Sequence, residues 1–188
     1  GAKFSPDGKY IVTASDDATA KIWNAKTGEQ VGETIRHGSR ATFARFSPDG
    51  KYIVTRGLTA RIWNVQTGEH HSLSHLHEDE FYYELFSPNG TYIVMYLAEN
   101  RNDNCINAKI WDVKTGEQVG KTMRYYDDAE SLIFSPDEKY IVTTPENYII
   151  RWNIKTGKVV GEAMRDDSGV SSAQFSPDGK YIVTTSND

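Results

Sequence analysis

Four of the chain's five histidines fall within eight residues, His70-His71-Ser72-Leu73-Ser74-His75-Leu76-His77. Imidazoles at close spacing raise the prospect of a metal site. On a regular strand His71, His75 and His77 share a face, with His75 and His77 ~7 Å apart and His71 about 13 Å from His75. Two of them reach one ion, and a third ligand has to come from Glu78 or Asp79. A tetrahedral zinc site holds all its ligands within about 2.3 Å of the metal, so the cluster reads as surface strand and no metal is expected. Cys105, next to Asn104, is the single thiol. A thiol becomes a nucleophile only beside a base, and the sequence places none there. No glycine-rich phosphate loop and no G-x-S-x-G elbow occurs. The carboxylates sit mostly in Ser-Pro-Asp turns, where they cap and solvate rather than pair as acid and base. The expected chain is not an enzyme and carries no cofactor.

Composition narrows the field further. The chain has 188 residues, a formal net charge of −5, 38% hydrophobic residues and 12% aromatic residues. That apolar content supports a buried core rather than wholesale disorder. The acidic balance argues against a nucleic-acid binder. One cysteine excludes an internal disulfide framework. No apolar run of 18 residues and no charged-then-apolar leader is present, so neither a membrane span nor a signal peptide is expected, and a cytoplasmic location is favoured.

The elements that position these residues announce themselves as a repeat. Phe-Ser-Pro-Asp-Gly occurs at residues 4–8, 46–50 and 175–179, with the variants FSPNG at 86–90 and FSPDE at 134–138. Each is followed by Tyr-Ile-Val, beginning at Tyr10, Tyr52, Tyr92, Tyr140 and Tyr181. Four units then carry Trp23-Asn24, Trp63-Asn64, Trp111-Asp112 and Trp152-Asn153, each followed by a Thr-Gly turn. From Trp to the next Phe the distance is always 23 residues, so all length variation lies between Tyr-Ile-Val and Trp. Pro-Asp-Gly favours a tight turn, and Tyr-Ile-Val and the alternating approach to Trp favour strands. Each unit of about 40 residues therefore contains four short strands, a to d, which is the pattern of a β-propeller blade. The units fall at about 1–42, 43–82, 83–131 and 132–172, with a partial one at 173–188.

In its phenylalanine-anchored SPDG turns, its strand-c Trp followed by Asp or Asn, and its Thr-Gly turns, the sequence resembles the WD-repeat β-propellers over essentially its whole length. The resemblance implies an all-β fold of four-stranded antiparallel blades, here four repeats plus an extra a–b hairpin. It also implies a structural set in each blade: the strand-c Trp (Trp23, Trp63, Trp111, Trp152), a strand-b Ser or Thr, an Asp in the b–c turn, and a His nine residues before the Phe. The His positions hold His37, His77, Tyr125 and Asp166, and the preceding Gly is replaced by Arg36, Leu76, Arg124 and Arg165. The turn Asp survives as Asp17 and Asp188, whereas the second unit has Leu58-Thr59. No unit holds the full set, so stability leans on apolar faces and strand ladders. Glu138 replaces a turn Gly and is expected to strain its turn. Arg151 stands where Ile22, Ile62 and Ile110 stand, which calls for either a register-shifting bulge or an acidic partner.

Residues 1–17 and 172–188 repeat one hairpin. The expected reading is a piece of a larger propeller, with assembly of two chains into a ring as the competitor. In the family the d–a and b–c connections share one face. There the third unit carries a long polar loop, roughly Tyr96 to Asn107, including Arg101, Asn102 and Asp103. The d–a segments add His75, His77, Glu78 and Asp79, then Tyr125 and Tyr126, beside Arg36 and Arg40. Aromatics and Arg anchor interfaces. The resemblance thus implies a scaffold that binds a protein or peptide partner on this face. Self-association is the alternative, and neither nucleic acid nor membrane is expected as a partner.

Overall fold

The structure is a computed structural model that describes residues 1–57, 59–75, 81–98, 105–126, 129–145 and 147–186. Among these residues there are strands and turns but no helix. Blade 1 contains β1 (Ala2–Phe4), β2 (Tyr10–Ala14), β3 (Thr19–Asn24) and β4 (Gln30–Arg36). Blade 2 contains β5 (Phe43–Phe46), β6 (Tyr52–Arg56), β7 (Thr59–Asn64) and β8 (His70–His75). Blade 3 contains β9 (Phe81–Phe86), β10 (Tyr92–Ala98), β11 (Cys105–Asp112) and β12 (Gln118–Tyr126). Blade 4 contains β13 (Ala129–Phe134), β14 (Tyr140–Pro145), β15 (Tyr148–Asn153) and a divided strand d, β16 (Lys158–Val159) and β17 (Met164–Arg165). A hairpin of β18 (Val170–Phe175) and β19 (Ile182–Ser186) follows. Strands lie side by side in sequence order in every sheet, and neighbours such as β1–β2, β6–β7, β14–β15 and β18–β19 run antiparallel.

The a–b turn forms because its own residues close it. Ser5 Oγ donates to Asp7 Oδ1 at 2.6 Å, the same carboxylate accepts the Lys9 N–H, and Tyr10 N–H donates to Ser5 Oγ. Gly8, at φ 70°, returns its N–H to the Ser5 carbonyl. Ser47 with Asp49, Ser135 with Asp137 and Ser176 with Asp178 repeat the arrangement. The Ser5 hydroxyl, then the Lys9 N–H, hold the Asp7 carboxyl below its ordinary pKa, and the Asp137 and Asp178 carboxyls are lowered by the matching serines first. Glu138 occupies the Gly position of its turn at φ 53°, a left-handed backbone that costs a side-chain-bearing residue ~1–2 kcal/mol. Ala18, at φ 65°, is a second such residue, one the sequence pattern does not single out.

The c–d turn explains why Asp and Asn interchange after Trp. Asn24 Oδ1 accepts from the N–H groups of Lys26 and Thr27, and Asp112 Oδ1 accepts from those of Lys114 and Thr115. Only an acceptor oxygen is needed, which both residues carry.

The chain divides into two compact units. Unit one is Gly1–Asp79, Asn89–Tyr92 and Trp111–Glu117, and unit two is Glu80–Pro88, Ile93–Ile110 and Gln118–Asp188. In unit one a buried cluster of Val12, Ala14, Ile22, Ala41, Ala44, Phe46 and Ile53 joins the faces of blades 1 and 2. In unit two Val142, Ile149 and Val170 pack with Ile133, Phe175 and Ile182.

Two expectations are corrected by the backbone. Val142 pairs with Arg151 as Val12 pairs with Ile22, so no bulge shifts that register. Arg151 is exposed, its guanidinium lies 5.1 Å from the centre of the Tyr140 ring, and no ion pair to it is found among the described residues. Cation–π contact takes the place of the expected acid. The long third-unit loop is also shorter than 96–107, because β10 runs on to Ala98 and β11 begins at Cys105. The insertion lengthens the hairpin that carries it.

Candidate functional site

Trp63 is the centre of the best-defined polar cluster, all of it in unit one. Its Nε1 donates to Thr55 Oγ1 at 2.7 Å. His70 stacks on one side of the indole, with ring centres 4.2 Å apart, and His37 meets it edge-on at 6.3 Å. The His37 N–H is fixed by the Ala18 carbonyl at 2.8 Å. Its ring is buried, and neither ring nitrogen has a hydrogen-bond partner among the described residues. Burial, then the Arg61 guanidinium and His70, push the His37 pKa below the ordinary imidazole value. Burial, then Arg61 and His71, act the same way on His70. Gly57 makes room for this arrangement, since a Cβ there would lie 3.0 Å from the Arg40 carbonyl and 3.3 Å from His37 Nδ1. With Leu58-Thr59 in place of an acid in the b–c turn, the cluster holds its tryptophan and histidine without the carboxylate. Among the described residues it is a packing unit in which burial disfavours the charged form of the imidazole.

Two other blades keep the tryptophan half of the set. Trp23 and Trp152 Nε1 each donate at 2.9 Å, to Thr13 and Thr143 Oγ1. Blade 3 has the fully buried Met95 at the threonine position, and Trp111 is 3% exposed. Asp17 accepts from Thr19 through both the N–H and the hydroxyl, which hold its carboxyl below the ordinary range, the hydroxyl first. Among the described residues these bonds stay within its own turn and do not reach His37.

The expected recognition residues divide into three groups. Arg36 and Arg40 are exposed in unit one. Arg40 Nε binds Asp16 Oδ1 at 2.6 Å, and the Arg36 carbonyl accepts from Arg61 Nη1. Tyr125 is 4% exposed in unit two, packed on Trp152 with ring centres 6.4 Å apart. It fills the vacant histidine position and does not offer its ring to a partner, which corrects the expectation for this residue. His77, Glu78, Asp79, Arg101, Asn102 and Asp103 lie outside the described residues. His75 and Tyr126 are described as backbone only.

A bulge also changes the reading of the histidine run. His71 pairs with Ile62 and His75 with Thr59, with a register shift between them. Ile62 and Thr59 are three residues apart on β7, so the common face of a regular strand is not the register found. No group of three metal-ligating side chains occurs among the described residues.

One feature escaped the sequence reading. Gln-Val-Gly recurs at 30–32 and 118–120, with Val-Val-Gly at 159–161. Gly32, Gly120 and Gly161 all take positive φ, and in blade 1 strand d bulges there. Gln30 Nε2 donates to the Gly32 carbonyl at 3.2 Å and the Thr34 hydroxyl at 3.1 Å, and Gln118 braces Gly120 in the same way. The repeated triplet was the available signal.

Antiparallel four-stranded sheets in series, each with a strand-c tryptophan and a Ser-Pro-Asp or Ser-Pro-Asn turn, define the blades of a partial β-propeller. The family model for the WD domain, G-beta repeat, matches residues 1–24 and 158–188 and supports assignment of the chain to the WD-repeat family. WD repeats generally mediate protein–protein interaction, and such domains are typically non-enzymatic scaffolds. No curated protein matches the chain. No helix among the described residues is long and apolar enough to cross a membrane.

Proposed function

We propose that the chain is a non-enzymatic scaffold that holds a protein or peptide partner on the face built from its d–a and b–c connections. The observation that carries this reading is the exposed guanidinium pair. Arg36 and Arg40 both face solvent, and Arg40 is fixed across 24 residues of sequence by its bond to Asp16. An exposed ion pair adds little stability, but it orients a donor that a partner's carboxylates can use. The test compares proteins captured by the wild-type chain and by an Arg36→Ala/Arg40→Ala variant, using quantitative mass spectrometry. Proteins lost with the variant are expected. An unchanged set overturns the reading.

Self-association is a second reading, supported by exposed apolar side chains on the two duplicated hairpins: Phe4 is 66% exposed, Tyr181 72% and Val183 63%. Surfaces of this kind favour burial against another chain.

A further inference from the structure

The Gln-Val-Gly segments of β4 and β12 differ in what lies next to them. In unit two the β12 segment meets the c–d turn of blade 4 backbone to backbone. Lys121 N–H reaches the Thr156 carbonyl at 3.4 Å, and a Cβ on Gly120 would lie 2.6 Å from the Ile154 carbonyl oxygen. In unit one the equivalent bulge and turn stand apart. No atom lies within 4 Å of a Cβ placed on Gly32 or Gly68, and no hydrogen bond joins Glu33 N–H to the Thr67 carbonyl. The separation leaves a groove of about 820 Å³ between β4 and the β7–β8 turn. Tyr10, Tyr52, Trp63 and Val65 line it, with Glu33 and Thr34 on the β4 side.

We propose that this groove binds an extended peptide segment of a partner protein, with a Lys or Arg side chain directed to Glu33. Two observations select that occupant. β4 is the last strand of its sheet and Gln30–Glu33 is exposed, so its outer edge is open to strand addition. The Glu33 carboxylate has no ion-pair or hydrogen-bond partner among the described residues, whereas Lys51, the lining cation, already binds Asp49 at 3.4 Å. The charge left at the groove is negative and complements a basic residue. The Gln30 side chain braces Gly32 and Thr34 within the bulge. The groove is separate from the guanidinium face described above, and either can be lost without the other.

The test selects linear twelve-residue peptides from a displayed library on the wild-type chain. The best clone is synthesised, and its affinity is measured by fluorescence anisotropy for wild type, Glu33→Lys and Thr34→Trp. Selected clones are expected to carry Lys or Arg beside small residues, and to bind each variant at least about tenfold more weakly. Circular dichroism and urea midpoints establish that the variants fold. Glu33 is exposed, so Glu33→Lys serves alone if Thr34→Trp does not fold. Absence of any binding clone, or a loss of less than tenfold with Glu33→Lys, overturns the proposal.

Discussion

His37 carries the clearest pH dependence at the scale of single residues. Burial, then Arg61 and His70, lower its pKa below the unfolded value of about 6.5. Between the two values the unfolded chain binds more protons than the folded one, so stability rises with pH there. The contribution is complete above about pH 6.5 and is lost as pH falls through the folded pKa. Urea midpoints measured from pH 7.5 down to 5.5 are expected to drop more for wild type than for His37→Phe, which keeps the ring packed on Trp63 without a titrating nitrogen. His70 shifts in the same direction but is present in both proteins, so the difference isolates His37. Equal slopes would remove the imidazole from the pH response. The aspartates of the Ser-Pro-Asp turns act in a separate window, since their lowered pKa values protect the fold until pH falls below the unfolded carboxylate value of about 3.9.

At the scale of elements, identical turns have different tolerances because their neighbours differ. Gly68 and Gly157 occupy equivalent positions in the c–d turns of blades 2 and 4, at φ 73° and 63°. A Cβ on Gly68 meets nothing within 4 Å, while one on Gly157 would lie 2.2 Å from the Lys121 carbonyl oxygen. Gly68→Ala is expected to cost ~1–2 kcal/mol from backbone strain alone. Gly157→Ala must in addition push two backbones apart, and is expected to cost at least about twice as much. Chemical denaturation of each variant measures the difference. Equal losses would mean that β12 at Lys121 does not rest on that turn.

The whole molecule presents a contrast between buried blade interiors and exposed terminal hairpins. Phe46, Phe86 and Phe134 are 4–7% exposed, whereas Phe4, at the same repeat position, is 66% exposed. Tyr181 and Val183 add to this apolar surface. Light scattering coupled to size exclusion is expected to give a mass above the 21.2 kDa of one chain. A Tyr181→Lys/Val183→Lys variant is expected to return it to the monomer value. A wild-type monomer would remove the self-association reading, while the peptide groove and the guanidinium face would stand untouched.

The five Ser-Pro-Asp/Asn turns, the four Trp-Asp/Asn pairs and their constant spacing were readable because each turn is closed by side chains within about six residues of one another. The all-β blade architecture follows from those local rules, and so does the strained backbone at Glu138, which departs from them. The fate of Arg151 was not readable. Its register is set by a ladder, but its exposure depends on the ring of Tyr140 and on what packs beyond β15. Tyr125 was likewise ambiguous, because an aromatic residue suits both an interface and a vacant histidine position, and only its contact with Trp152 decides. The Gln-Val-Gly triplets were visible as letters, yet whether a bulge closes on the neighbouring turn depends on the distance between blades. That distance is the sum of many nonlocal packing contacts and is written in no single segment. Local hydrogen-bond chemistry therefore determined the repeat and its turns from sequence alone. Packing between blades, acting over tens of residues, decided which side chains are buried and left one groove open where its counterpart is closed.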